Sequence, residues 1–126
     1  MITIGTVAFS DLTTTEMFNG QDTGKYSIVL NMSAEEAAKL TALDVKVKEY
    51  QNMPQRKFVT KFAGFEVIDA EGDPLPKAIP YGSEVKILWE PSKPHPSGAR
   101  AAYFKKIRVL KMAEHAGVVD DGDEEF

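Results

Sequence analysis

The sequence predicts a mainly β protein: a small barrel of five strands with one α-helix between the second and third strand segments. Three observations support this fold class. They are five segments rich in β-branched and apolar residues, one segment with apolar residues at helical spacing, and long polar connections containing glycine and proline. A chain of 126 residues is long enough for one compact domain and too short for two of ordinary size.

Two strand segments precede the helix. The first, ITIGTVAFS, is rich in β-branched and apolar residues and has Gly5 where a strand would bend. After the polar loop TTTEMFNGQDTG, the segment KYSIVLNM alternates, with Tyr26, Ile28 and Leu30 on one face. Because no basic segment precedes an apolar run at the start, we expect a strand there and not a secretion signal.

The helix begins at a predicted capping box. In that motif the Ser33 hydroxyl accepts from the Glu36 N–H, and the Glu36 carboxylate accepts from the Ser33 N–H. An apolar stripe follows at spacings of three, four and three residues: Leu40, Leu43, Val47 and Tyr50. We expect the opposite face to be solvated: Glu35, Lys39, Lys46 and Lys48. The helix should end near Asn52, because Pro54 disfavours a helical residue before it.

Three more strand segments complete the predicted barrel. They are KFVTKFAGFEVID, with a bend at Gly64, then SEVKILWE after the turn AEGDP, and finally ARAAYFKKIRVLKM after the proline-rich connection PSKPHPSG. Closing five strands into a barrel removes the exposed edges that an open sheet would leave. The pattern therefore predicts a five-stranded barrel of the oligonucleotide-binding (OB) type.

Composition and motifs argue against catalysis and against a membrane protein. No cysteine is present, which excludes disulfides, thiolate zinc sites and a cysteine nucleophile, and two histidines cannot by themselves build a catalytic metal centre. The acids Asp69, Glu71 and Asp73 alternate, but the run breaks at Pro74, so we interpret it as a turn. No catalytic triad, phosphate loop or apolar run of about 18 residues is recognisable. We expect no enzyme activity, no cofactor, no metal site and no membrane span.

Basic residues cluster locally in a chain whose net charge is −4. From Val85 to Lys111 there are seven basic side chains and one acid, Glu90, and a smaller group is Arg56, Lys57 and Lys61. Aromatic residues are interleaved with both groups: Phe58, Phe62, Phe65, Trp89, Tyr103 and Phe104. A single strand of nucleic acid exposes base faces together with phosphates, so a sequence-tolerant binder needs flat rings and cations side by side.

Whether these aromatics stack on bases or fill the barrel is left open by the sequence. Neighbours in a strand point to opposite faces, so Tyr103 and Phe104 cannot both face the core unless a bulge intervenes. Trp89 alternates with Val85 and Ile87 and is a core candidate, although it lies at a strand end where its ring could reach the surface.

The order of segments resembles bacteriophage single-stranded DNA-binding proteins, in particular the podophage replication type, which is dimeric with an OB core. The residues carrying the resemblance are GKYSIVLNMS, VIDAEGDPLPKAIP followed by GSEVKILWEP, then GARAAYFKKIRVLKM and DDGDEEF. The resemblance implies a protein that coats single-stranded DNA with little sequence preference during replication, recombination and repair in the host cytoplasm. The resemblance leaves open whether the chain forms a homodimer.

The resemblance also implies ligand contacts at Lys57, Lys61, Trp89, Lys93 and His95. With the basic and aromatic pattern added, the full predicted set of nucleic-acid contacts is Lys57, Lys61, Phe62, Trp89, Lys93, His95, Arg100, Tyr103, Phe104 and Lys106. The chain departs from the podophage type in its shorter length and in an aromatic-rich loop, which is represented here only by His95.

The last residues, DDGDEEF, combine five carboxylates with a terminal aromatic ring: Asp120, Asp121, Asp123, Glu124, Glu125 and Phe126. We expect a DNA-binding domain over 1–116 and a disordered acidic tail over 117–126. By resemblance, the tail would compete with DNA and recruit replication proteins, whereas the plain alternative is a solubilising tail. The rival function is a virion structural or assembly protein whose small barrel binds protein and not DNA.

Overall fold

The fold comes from a computed structural model, which describes residues 1–94, 96 and 100–113. Within these residues there are nine strands and one helix: β1 (Ile2–Asp11), β2 (Met17–Phe18), β3 (Gln21–Asp22), β4 (Tyr26–Asn31), α1 (Ala34–Thr41), β5 (Lys48–Tyr50), β6 (Met53–Thr60), β7 (Glu66–Ile68), β8 (Glu84–Pro91) and β9 (Ala102–Lys111). The predicted boundary at residue 116 and the acidic tail lie outside the described residues.

Five long strands close into the predicted barrel. The main sheet has the order β5-β6-β4-β1-β8-β9-β7, and a parallel pairing of Val59 on β6 with Tyr103 on β9 closes it. The helix α1 lies between β4 and β6, the second and third strands of the barrel. The predicted five-stranded OB-type barrel with one helix is confirmed. The two short strands β5 and β7 extend it.

The barrel interior is filled by inward-facing residues of all five strands. The largest fully buried side chains are Trp89, Phe58 and Phe104. The Phe58 and Trp89 rings meet edge to face with centroids 5.5 Å apart, and Phe65 meets Phe104 in the same way at 5.0 Å. The indole N–H of Trp89 donates to the Thr3 hydroxyl at 2.8 Å, so the one polar atom of the indole is satisfied inside the core.

Gly5 lies where β1 pairs with β8 and passes close to the end of β4. A Cβ on Gly5 would lie 2.4 Å from the backbone oxygen of Asn31 and 3.2 Å from the Leu30 Cβ. Since backbone cannot yield as a flexible side chain can, only glycine allows this close approach. The requirement for glycine at position 5, where the sequence predicts a bend, thus comes from close packing against β4.

The helix is shorter than predicted, because it ends at Thr41 and not near Asn52. Asp44 has a left-handed φ of 61°, the Val45 N–H donates to the Leu40 carbonyl, and the Asp44 N–H donates to the Thr41 carbonyl. This is a Schellman motif, which ends a helix by satisfying its last carbonyls. The predicted apolar stripe is therefore not one face of a helix. Leu40 is buried in α1, and Leu43 and Val47 pack against the core after the helix has ended, whereas Tyr50 is exposed on β5.

A tight hairpin replaces the predicted end of the helix. Tyr50 pairs with Met53, and the two loop residues Gln51 and Asn52 have positive φ angles of 52° and 65°. Two such residues form the loop type whose twist matches that of the flanking strands. The segment predicted as the polar loop 13–24 likewise contains a small hairpin, β2 and β3, with Asn19 and Gly20 at positive φ.

Half of the predicted capping box is present. The Glu36 N–H donates to the Ser33 hydroxyl at 3.2 Å, as predicted. The Glu36 carboxylate does not return to the Ser33 N–H; it accepts from the Ile4 N–H at 3.1 Å and from the Lys39 ammonium at 2.8 Å. The reason is that β1 pairs with β4 only from Thr6 onward, which leaves the Ile4 N–H facing the helix. Glu36 therefore ties the helix to the barrel.

This tie makes a pH-dependent contribution to stability. Burial raises the pKa of Glu36, but the hydrogen bonds from Lys39 and Ile4 outweigh it, and the pKa lies below its ordinary 4.5. A depressed carboxyl pKa stabilises the fold above 4.5, and the contribution is lost as pH falls through the lower folded value. We expect Glu36→Gln to cost up to about 1 kcal/mol at neutral pH and nothing in acid, measured by urea unfolding.

The matched control is Glu35→Gln, which changes an exposed carboxylate in the same helical turn. Its effect at neutral pH should be the smaller of the two. Equal pH dependence of the two variants would contradict a specific role of Glu36.

Candidate functional site

A groove of about 780 Å³ runs along the outer face of β4 and β6. We call it the β4–β6 groove. Its lining comes from the two strands, from β1, from the β1–β4 connection, from the segment after α1 and from the residue just before β9: Phe9, Glu16, Lys25, Val29, Lys46, Val47, Lys48, Gln55, Arg56, Lys57, Val59 and Ala101. The groove therefore collects residues from six regions of the sequence.

Strand register places the floor of the groove on one face. Phe9 pairs with Val29, and Val29 pairs with Lys57, so these three side chains form a row across β1, β4 and β6. A bulge between Val7 and Phe9 sets this row. Without it, the two residues would share a face, whereas Val7 is 1% exposed in the core and Phe9 is 54% exposed outside.

The groove has a strong positive charge. Five of its side chains are cationic, namely Lys25, Lys46, Lys48, Arg56 and Lys57, and one, Glu16, is anionic. The Lys57 ammonium lies 2.5 Å from a Glu16 carboxylate oxygen. Clustered charges of one sign in a concave surface focus the electrostatic potential and attract ligands of the opposite sign. The arrangement suits an extended polyanion.

Two arginines hold the wall of the groove in place. Arg56 donates to the Lys46 carbonyl at 3.0 Å and to the Arg100 carbonyl at 3.1 Å, while Arg100 donates to the Leu43 carbonyl at 3.2 Å. Burial lowers the pKa of the Arg56 guanidinium from its ordinary value, and an arginine side chain stays charged at neutral pH. Arg100, a predicted nucleic-acid contact, thus connects the start of β9 to the segment after the helix.

Two predicted contacts, Lys57 and Tyr103, lie on the same outer face. Lys57 lines the groove, and Val59, two residues later, pairs with Tyr103 on β9. Tyr103 is 38% exposed, and Lys61 is exposed just past the end of β6. Phe62 is also exposed, with its ring against Gly64, where a Cβ would lie 2.4 Å from the ring. The predicted exposure of one member of the Tyr103–Phe104 pair is confirmed.

The burial of Trp89 and Phe104 argues against their predicted role as nucleic-acid contacts. Each is 1% exposed, because strand alternation turns both rings into the barrel. Neither ring can stack on a base without opening the core, so we omit both from the contact surface. The alternative that these aromatics fill the barrel is the correct one for these two residues.

The remaining predicted contacts are scattered. The Lys106 ammonium lies 3.1 Å from the Glu66 carboxylate on β7, and Lys106 does not line the groove. Lys93 is exposed in the β8–β9 connection. His95 and the tail residues lie outside the described residues. Within the described ranges, no cluster of histidine and acidic side chains is placed to hold a metal ion. The helix found there is too short to cross a membrane.

Solved structures that are similar to this fold include two bacteriophage proteins. The single-stranded DNA-binding protein of bacteriophage Enc34 in complex with single-stranded DNA matches with a TM-score of 0.64 and 15% identity, over 89% of this chain and 85% of that one. The protein gp2.5, a single-stranded DNA-binding protein of bacteriophage T7, matches with a TM-score of 0.54 and 12% identity, over 94% of both chains. The predicted resemblance is confirmed at the level of the fold. The chain has the fold of these phage DNA-binding proteins.

Sequence comparison adds no closer relationship, since no protein-family model and no curated protein matches the chain. The same Enc34 protein without DNA matches over 94% of this chain, with a TM-score of 0.64 and 15% identity. At this identity the likeness concerns the path of the backbone. The side chains that contact a ligand must be inferred from this chain's own groove.

Several groove residues were missed by sequence reasoning. Lys46 and Lys48 were expected on the solvated face of a longer helix, yet the segment DVKVKEY alternates with a period of two, which is the signal of a strand. The sequence places Phe9 in the first strand but does not show which face its side chain is on, because only the bulge turns it outward. Lys25 is brought to the groove by the β2–β3 hairpin, where the Glu16 N–H donates to its carbonyl at 2.7 Å.

Proposed function

We propose that the protein binds single-stranded DNA along the β4–β6 groove with little sequence preference. The observation that supports this most is the groove itself, which places five cationic side chains beside exposed apolar surface on the outer face of an OB-type barrel. Lysine and arginine neutralise phosphates, while flat and apolar side chains contact unpaired bases. A duplex hides its base faces, so the combination favours a single strand.

The likeness of fold to phage proteins that bind single-stranded DNA supports the same function. In this proposal the protein coats single strands in the cytoplasm of an infected cell during replication, recombination and repair. Its action is non-catalytic and requires no cofactor. Binding comes from phosphate neutralisation and base contact alone.

The acidic tail has two roles in the proposal. Its five carboxylates and Phe126 offer the groove charge and an aromatic ring, the same chemistry as phosphates and a base. A tethered segment acts at an effective concentration that can reach the millimolar range, so it would compete with DNA from within the same chain. DNA that displaces the tail would release it to recruit replication proteins.

The salt dependence of binding tests the proposed function. We expect the affinity for labelled oligo-dT, measured by fluorescence anisotropy, to fall steeply as salt rises, with a log–log slope of about −0.7 for each phosphate contacted. A duplex of the same length should bind more weakly. A flat salt response, or equal binding of single and double strands, would contradict groove binding and favour the structural rival.

The same titration with a chain ending at Val119 isolates the tail. Tighter binding than the full chain at low salt would support competition for the groove. Unchanged affinity would leave recruitment as the proposed role of the tail.

A further inference from the structure

A second cavity of about 260 Å³ adjoins the β4–β6 groove and shares Gln55 with it. Its lining includes Asn31, Tyr50, Met53 and Tyr81 and contains no lysine or arginine. The two parts of the surface therefore differ in chemistry. The groove is cationic and suits phosphates, whereas the second cavity is neutral and bounded by aromatic rings.

Three large side chains that line this cavity are exposed to solvent. Tyr81 is 70% exposed, Tyr50 60% and Met53 45%, and the β5–β6 hairpin sets Tyr50 directly opposite Met53. Tyr81 is held beside β1 by its neighbours, since the Gly82 N–H donates to the Val7 carbonyl and the Val7 N–H donates to the Ser83 carbonyl. Exposed apolar surface grouped at one cavity marks a place where a ligand binds.

An amide pair lies between these rings and the groove. The Gln55 side-chain Nε2–H donates to the Asn31 side-chain oxygen Oδ1 at 2.9 Å, and both side chains are half-buried. One internal hydrogen bond leaves the pair with a free donor on one side chain and a free acceptor on the other. If both amides turn over together, the internal hydrogen bond persists and the free donor and acceptor exchange places.

This property matches the edges of all four bases. Adenine and cytosine present an amino donor beside a ring-nitrogen acceptor, and guanine and thymine present a carbonyl acceptor beside a ring N–H donor. The amide pair can satisfy either order by turning over. A fixed donor or acceptor, by contrast, would discriminate between the two classes of base.

We propose that this cavity is a sequence-tolerant nucleobase subsite. One unstacked base lies against the ring of Tyr50, and its Watson–Crick edge hydrogen-bonds to the Asn31–Gln55 pair. The adjoining groove binds the neighbouring phosphates. The inference rests on the proposed function and adds to it a named base-binding site and a cause for low sequence preference.

The first test removes the ring. Tyr50→Leu should weaken oligo-dT binding about tenfold with an unchanged salt slope, because a base contact is lost and no phosphate contact. Tyr50→Phe keeps the ring and should lose much less affinity than Tyr50→Leu. Both substitutions are at an exposed position, so the fold should be retained, which circular dichroism checks.

The second test blocks the base edge. Short oligonucleotides in which each thymine in turn is replaced by N3-methylthymine should include one position of weaker binding, by about fivefold or more. In the Asn31→Leu/Gln55→Leu variant that position should no longer differ from the others. Replacing both amides by apolar side chains of similar shape limits the cost to stability.

The outcomes separate the two levels of inference. Failure of the unchanged protein to bind oligo-dT would overturn both the proposed function and the subsite. Normal binding together with no effect of Tyr50→Leu and no position sensitive to N3-methylation would overturn the subsite alone. A strong preference for one class of base that survives in the double amide variant would also overturn the proposed role of the amide pair.

Discussion

Replacing Trp89 by alanine is expected to cost about 3–5 kcal/mol of unfolding free energy, which is a large part of the stability of a small domain. The side chain is 1% exposed, its ring meets Phe58 edge to face at 5.5 Å, and its N–H donates to the Thr3 hydroxyl at 2.8 Å. The substitution removes the buried ring, its contact with Phe58 and its hydrogen bond to Thr3. It leaves a cavity where the indole was. Urea unfolding followed by circular dichroism measures the loss.

Trp89→Phe keeps the variant folded and tests whether Trp89 contacts DNA. It retains an aromatic ring but removes the N–H, leaving the Thr3 hydroxyl buried and unsatisfied. We expect a loss of about 1–3 kcal/mol in stability and an unchanged affinity for oligo-dT. A folded Trp89→Phe variant with reduced DNA affinity would contradict the assignment of Trp89 to the core.

A double-mutant cycle separates the hydrogen bond from the packing of the ring. Thr3→Val leaves the indole N–H without its partner, and the double variant Thr3→Val/Trp89→Phe removes both polar atoms. The double variant should lose less stability than the sum of the two single variants, because neither polar group then remains buried alone. If the two losses of unfolding free energy add up, the hydrogen bond between Trp89 and Thr3 contributes little to stability.

The barrel could be predicted from sequence because its strands carry a strong pattern. In β4, Ile28 and Leu30 are both fully buried, as alternation requires. In β9, Phe104 and Ile107 are both buried although they are three residues apart. The register shift between β8 and β9 absorbs the extra residue and puts Lys105 and Lys106 between the two buried residues. Such shifts preserve the core while changing which neighbours share the outer face.

The helix end and most of the site could not be predicted, for a related reason. A non-glycine residue, Asp44, occupies the left-handed position that ends the helix, and Gln51 and Asn52 form the hairpin loop that glycine would usually mark. The glycines that usually mark a helix end and a tight hairpin loop are therefore absent from these positions. The groove depends in addition on which strands become neighbours, so Lys57 was predicted from its local basic cluster while Phe9 was not.

The largest effect on binding is expected from the groove lysines. Lys25, Lys48 and Lys57 line the groove from three different segments, and changing all three to glutamine removes three positive charges at almost constant size. Near 0.1 M salt we expect the affinity for oligo-dT to fall about a hundredfold and the salt slope to shrink by about 2. Changing three lysines that do not line the groove, Lys39, Lys86 and Lys111, is the matched control and should have a much smaller effect.

Glu16 provides a test with the opposite sign. Its carboxylate lies 2.5 Å from the Lys57 ammonium, so DNA must compete with it for Lys57 and must approach the only acid that lines the groove in the described part of the chain. Glu16→Gln should therefore tighten oligo-dT binding several-fold and steepen its salt dependence, whereas Lys57→Gln should do the reverse. A general loss of stability would weaken binding in both variants. Opposite changes from two side chains in contact would place the DNA backbone at that point of the groove.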